Sequence, residues 1–120
     1  MKILLVEDEV LVAELLADAF HKEGHETIVS HSGEEAVQLL RDHRPDVVFL
    51  DLVLPKMSGI AVLNRIRSMG LTLPVIIITG HPDVEDIEEA QRLGVTEVIE
   101  KPFVLKSYSE ALARVTGGKP

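Results

Sequence analysis

Asp51 directly follows Val47-Val48-Phe49-Leu50, an acid closing a run with no other polar side chain. Burying a carboxylate at such a place is costly unless a cation, a hydrogen bond or an opening to solvent compensates. Three more apolar runs end in a similar way: Ile3-Leu4-Leu5-Val6 in Glu7-Asp8-Glu9, Val75-Ile76-Ile77-Ile78 in Thr79, and Val98-Ile99, through Glu100, in Lys101. Laid side by side and parallel, these runs bring acids, a hydroxyl and an ammonium to one edge. Glu7, Asp8 and Asp51 held together would repel one another, and a divalent cation is the simplest remedy. Oxygen-only ligands with retained waters suit Mg²⁺, with Mn²⁺ as the alternative ion. Lys101 reaching over the edge could pair with Asp51 and neutralise the oxygen of an anion, to which Thr79 could donate a hydrogen bond. Each residue also has a plainer use. Asp8 could cap the first helix with Glu9 in its first turn, Lys101 could be an ordinary exposed lysine, and Thr79 could simply end a strand at Gly80. Asp51 has the weakest plain use, because Pro55 and Gly59 keep the next stretch a loop.

The elements that must position these groups alternate along the chain. Short, mostly continuous apolar runs at 3–6, 27–30, 47–50, 75–79 and 97–99 predict strands buried on both faces. The more polar Thr27-Ile28-Val29-Ser30 predicts an edge strand. Helical spacing fills the gaps: Val12, Leu15, Leu16 and Ala19; Ala36, Leu39 and Leu40; Val62, Leu63 and Ile66; Ile87 and Ala90; Leu105, Tyr108, Leu112 and Val115. Gly24, Gly70 and Gly94 sit just past helical patterns, where a left-handed residue is wanted. Ser32-Gly33-Glu34-Glu35 reads as a capping box. Five strand–helix units with short connections predict a (βα)₅ α/β fold, a parallel sheet with right-handed crossovers and helices on both faces. Sites in such sheets lie beyond the carboxyl ends of the strands, where the acids, Thr79 and Lys101 fall.

At 120 residues and 46% hydrophobic, the chain suits one domain with one sizeable core. We place that domain at residues 1–116 and read 117–120 as a flexible tail or the start of a linker. The formal charge of −8 argues against direct nucleic-acid contact by this domain, since duplex binding rests on Lys and Arg at phosphates. With no cysteine there are neither disulfides nor thiolate metal sites. No apolar run approaches the ~20 residues of a membrane span, and no signal-peptide pattern opens the chain. We expect a cytoplasmic protein. His21, His25, His31 and His43 lack metal-ligand spacing and read as surface residues, and His81 as a solvated loop residue beside the site. Neither a phosphate-binding Gly-rich loop nor a dinucleotide fingerprint is present. Ser30, Ser32 and Ser58 have no evident base for nucleophilic chemistry.

The four stretches Ile3–Glu9, Asp51-Leu52-Val53-Leu54-Pro55-Lys56-Met57-Ser58-Gly59, Ile78-Thr79-Gly80 and Glu100-Lys101-Pro102-Phe103, in this order, resemble the receiver domain of two-component response regulators, the CheY-like superfamily. The resemblance covers essentially the whole chain. It implies a flavodoxin-like, doubly wound sandwich with strand order 2-1-3-4-5. It also implies that Asp51 accepts a phosphoryl group from a sensor histidine kinase or histidine phosphotransfer protein. Glu7, Asp8, Asp51 and the main-chain carbonyl of Val53 would hold Mg²⁺, and Thr79 and Lys101 would contact the phosphoryl group. The domain would be a signalling switch, not an enzyme with a released substrate. It would change the surface of helix four, strand five and helix five for an effector domain or protein, or for a phosphorylation-dependent homodimer. One position departs from the family pattern: Val98 stands where the family usually has Tyr or Phe, three before the lysine. Output is therefore expected to rely on the Gly80–Val84 loop and helix four. A haloacid-dehalogenase-type phosphatase is the main alternative, but it wants a second Asp two residues after Asp51, where this chain has Val53. A binding-only pseudo-receiver is the other, and the intact acids, Thr79 and Lys101 argue against it.

Overall fold

The computed structural model, which describes residues 1–80, 83–101 and 105–115, alternates five strands with five helices. These are β1 (Lys2–Val6), α1 (Val10–Lys22), β2 (Glu26–Ser30), α2 (Gly33–His43), β3 (Val47–Asp51), α3 (Gly59–Ser68), β4 (Val75–Thr79), α4 (Val84–Arg92), β5 (Glu97–Glu100) and α5 (Leu105–Val115). Every strand pair is parallel, and the sheet order is β2-β1-β3-β4-β5. This is the (βα)₅ flavodoxin-like fold expected from the sequence. The strands run slightly beyond the apolar runs, so β3 takes in Asp51 and β5 takes in Glu100. His81, Pro102, Phe103 and the chain after Val115, including the tail, lie outside the described residues.

Alternate strand residues face opposite sides, and two cores follow from that. Leu4, Val6, Val48, Leu50, Val75 and Ile77 face α2, α3 and α4, where they meet Ala36, Leu40, Val62, Leu63, Ile66 and Ala90. Ile3, Leu5, Val47, Phe49, Ile76 and Ile78 face α1 and α5, where they meet Ala13, Leu16, Phe20, Tyr108, Ala111 and Leu112. Phe20, Phe49 and Tyr108 pack with centroids 5.0–6.5 Å apart. That packing sets the rotation of α1, and it corrects the expected face. Ala13, Leu16 and Phe20 are buried while Leu15 is half exposed, because the large Phe20 ring turns toward Phe49. As a result Val10, Leu11 and Leu15 form an apolar strip open to solvent.

The edge position of β2 agrees with its polar sequence. Gly24, Gly70 and Gly94 have φ of +91°, +77° and +75°. Helix α2 instead ends on Arg44 in the left-handed region, at φ +47°. The capping box is half formed. Ser32 Oγ accepts from the Glu35 amide at 3.3 Å, while the Ser32 amide donates to Ser30 Oγ instead of the Glu35 carboxylate. Of the histidines, His21, His31 and His43 are exposed. His25 is half-buried against the N-terminal ammonium at 3.1 Å; burial, then that positive charge, lowers its pKa.

Candidate functional site

The parallel register brings the predicted residues to the carboxyl edge. Glu7 follows the last residue of β1, and its amide donates to the Ser30 carbonyl at the end of β2. Asp51 ends β3 opposite Ile78, one position before Thr79, which closes β4 and pairs with Glu100 of β5. The Lys101 amide then donates to the Thr79 carbonyl at 2.7 Å, which aims the lysine back across the sheet. Its Nζ donates to Glu7 Oε1 at 2.7 Å and to Asp51 Oδ2 at 2.9 Å. The other oxygen, Asp51 Oδ1, accepts from the Val53 amide at 2.9 Å, and Glu7 Oε2 accepts from the Glu9 amide at 3.2 Å. Glu7, Asp51 and Thr79 are buried and Asp8 is exposed.

Asp8 does not cap α1. The capping position is Glu9, which makes no side-chain capping bond, so helix capping does not account for this acid. The plain reading of Lys101 fails as well, because its side chain is only 15% exposed and bridges two carboxylates.

Glu7, Asp8 and Asp51 each offer an oxygen, all within 4.8 Å of one another. When all three are ionised, three carboxylates against one ammonium leave two negative charges uncompensated, which a divalent cation would balance. The donors are oxygen only, and one is solvent-facing so that waters can be kept, which fits Mg²⁺ or Mn²⁺. Burial, opposed by the Lys101 hydrogen bond and reinforced by Asp51, pushes the Glu7 carboxyl up to about 7. Burial alone would lower the Lys101 pKa, but its bonds to Glu7 and Asp51 outweigh burial and raise it. A groove of about 910 Å³ lies at the opposite edge of the sheet, lined by Leu40, Arg41, Leu71 and Leu73 among others, and shares no residue with the acids.

The Glu7 shift has a sign that can be checked. Its folded pKa, about 7, lies above the ordinary 4.5, so the metal-free fold binds this proton more tightly than the unfolded chain does. The associated stability is complete below about pH 4.5 and is lost as pH rises through 7. In EDTA the urea midpoint should therefore be lower at pH 8 than at pH 5.5, with Mg²⁺ restoring it at pH 8. A midpoint that is flat or rising with pH, and insensitive to Mg²⁺, would contradict this.

Sequence comparison agrees with the geometry. The family model for the response regulator receiver domain matches residues 3–113. The chain belongs to this family. The sporulation initiation phosphotransferase F of Bacillus subtilis is 34% identical to this receiver domain over 113 residues, 94% of this chain and 91% of that protein. The regulatory protein AtoC of Escherichia coli is 40% identical over 94% of this chain, which spans only 24% of AtoC. The probable transcriptional regulatory protein TcrX of Mycobacterium tuberculosis is 37% identical over 96% of this chain, which spans 50% of TcrX. Among solved structures, the signal receiver domain of a putative LuxO repressor protein from Vibrio parahaemolyticus superposes with a TM-score of 0.90 at 29% identity, covering 97% of this chain and 89% of that one. Receiver domains of response regulators are signalling switches, and this one carries the acidic Glu7, Asp8 and Asp51 cluster. Among the described residues no helix is long and apolar enough to cross a membrane.

Three supports of the receiver site went unnoticed in the sequence. His31 Nδ1 lies 2.9 Å from the Glu7 carbonyl and ties the loop after β2 to the acidic loop. Gly59 presses on the end of β3: its amide donates to the Leu52 carbonyl at 2.9 Å, and a Cβ there would lie 2.4 Å from the Asp51 carbonyl oxygen. Lys56, at φ +66°, sits in a tight turn closed by the Met57 amide and the Pro55 carbonyl at 2.7 Å. Of these only the glycine was singled out, as part of a loop, whereas it is the first residue of α3.

Proposed function

We propose that Asp51 accepts a phosphoryl group from a phosphohistidine donor and that the resulting charge switches the α4–β5–α5 surface. The observation that carries this reading is the Lys101 ammonium bridging Glu7 and Asp51, with Asp8 as the third carboxylate of the cluster at the carboxyl edge. A carboxylate oxygen of Asp51 attacks phosphorus, an O–P bond forms as the donor N–P bond breaks, and the departing imidazole keeps the electron pair and takes a proton. Such transfer depends mostly on positioning and charge neutralisation. The Val53 amide and Lys101 orient the acceptor, and Lys101 then neutralises an oxygen of the incoming group. Thr79 donates its hydroxyl to another. Mg²⁺ or Mn²⁺, held by Glu7, Asp8, Asp51 and the Val53 carbonyl, supplies further positive charge when bound. Phosphorylation replaces one negative charge by about two and adds three acceptor oxygens, and the switch is a shift between two populations.

The partners follow from the surfaces. The apolar strip of Val10, Leu11 and Leu15 starts one residue beyond the acidic loop and offers a docking face for a histidine kinase or phosphotransfer protein. The acidic α4–β5–α5 side would be read by an effector domain or protein, or would pair with a second copy, in the cytoplasm.

Incubation with acetyl phosphate and Mg²⁺, followed by intact mass, tests the proposal. One phosphoryl group should appear with Mg²⁺ and none in EDTA, and failure to take one up would overturn it. For the metal, Asp8→Asn should weaken Mg²⁺ binding by at least about tenfold in calorimetry, since ligand charge sets affinity. Because Asp8 is exposed and caps nothing, its loss should leave the urea midpoint in EDTA unchanged or higher. Unaltered Mg²⁺ affinity would remove Asp8 from the metal set.

A further inference from the structure

Helix α4 is held very unequally at its two ends. At the C-terminal end, the half-buried Arg67 of α3 spends its guanidinium on main-chain carbonyls alone. Nε donates to Leu93 at 2.7 Å and Nη2 to Gly94 at 3.1 Å, while Nη1 donates to Leu71 at 3.0 Å and Leu73 at 2.9 Å. Two of these carbonyls belong to the end of α4 and two to the connection before β4. A cation at helix-end carbonyls is favourable, and a planar fork fixes direction as well as charge. The same end is sewn down by the Val95 amide on the Ala90 carbonyl and the Thr96 amide on the Val75 carbonyl. Ala90, the one buried residue of α4, lies in its last turn.

Among the described residues the N-terminal half is held mainly within itself, by Asp83 Oδ1 accepting from the Glu85 amide at 2.9 Å. Val84 is 69% exposed, Glu85, Asp86 and Glu88 are exposed, and Ile87 is only partly buried. Val98, which packs in the same core as Ile87, brings no ring to couple it to the sheet. This half follows Thr79 and Gly80 in the chain, so it is the end nearest the acceptor.

We infer that Arg67 is a positioning residue that anchors the C-terminal end of α4, so that the helix answers phosphorylation by swinging its N-terminal half about Leu93–Gly94. The inference rests on the phosphoacceptor reading above. Removing the fork frees both ends, and the response then spreads along the helix.

Hydrogen exchange on the full chain, with and without beryllofluoride and Mg²⁺ as a phosphoryl mimic, tests this. In wild type, exchange should change across residues 83–88 and stay constant at Val95 and Thr96. In Arg67→Gln, Val95 and Thr96 should exchange at least tenfold faster before any mimic is added, and the mimic's effect should extend to them. Arg67→Lys, which keeps the charge but loses the fork, gives the same readout if the glutamine variant does not fold. A wild-type response spread evenly over α4, or unchanged exchange at Val95 and Thr96 in both variants, overturns the inference. If acetyl phosphate leaves no phosphoryl group on the wild type, the acceptor reading fails and the swing with it. The anchor itself is still decided by exchange in the resting protein.

Discussion

Gly59→Ala is expected to destabilise the protein by about 3 kcal/mol, although it adds only a methyl group at the start of a helix. The new Cβ would lie 2.4 Å from the Asp51 carbonyl oxygen and 2.5 Å from the Leu52 Cα. Both are backbone atoms, one at the last residue of β3 and one just after it, so no side chain can rotate away. The first turn of α3, fixed by Ser58 Oγ accepting from the Ala61 amide at 3.2 Å, would have to lift off β3. The urea midpoint should fall with little change in slope, and phosphoryl uptake should slow as Asp51 shifts. A loss below about 0.5 kcal/mol would mean that the contact relaxes freely.

Lys101→Met carries the second large effect. It keeps an aliphatic stem and removes the ammonium, leaving the Glu7 and Asp51 carboxylates buried side by side. Removing one partner of a buried ion pair costs about 3–5 kcal/mol, and the 15% exposure of Lys101 puts this site at the lower end. The cost should depend on pH. Without the lysine the Glu7 pKa rises further above 7, so at pH 5.5 Glu7 carries a proton and the loss is the smaller one of leaving Asp51 without its ammonium. At pH 8 the full repulsion stands. Urea midpoints of wild type and variant in EDTA should diverge between these two values, and Mg²⁺ should narrow the gap. An equal loss at both pH values would mean that repulsion between Glu7 and Asp51 contributes nothing to it.

The sheet and the cluster of polar groups at its edge were legible because they are written in residue types. Apolar runs predicted the strands, and the polar groups that end them predicted Glu7, Asp51, Thr79 and Lys101 at one edge. What escaped depends on the backbone or on competition between side chains. Arg67 and His31 contact carbonyls, which every residue possesses, so no pattern marks them. On α1 only Leu15 was misplaced, because spacing alone weighs Leu15 and Phe20 alike, whereas the Phe20–Phe49–Tyr108 stack makes the ring decisive. Asp8 was ambiguous because an acid before a helix serves a cap and a cation equally well, and only the helix start at Val10 separates the two. The capping box failed by half because Ser30, buried at the end of β2, supplies the acceptor that Glu35 would have offered.

The observed geometry also clarifies the departure at Val98. This residue lies in the core below α4, with Ile87, Leu93 and Val95 packed around the same cluster. In the proposed switch, with no ring at this position, the exposed first turns of α4 would carry the response.

The central claim is that Asp51 is the atom-bearing acceptor of the site. The most direct measurement is intact mass of wild type and Asp51→Asn side by side, after acetyl phosphate with saturating Mg²⁺. Wild type should gain one phosphoryl group that hydroxylamine removes, as befits an acyl phosphate, and Asp51→Asn should gain none. Equal labelling of the two proteins, or a wild-type label that resists hydroxylamine, would contradict the account.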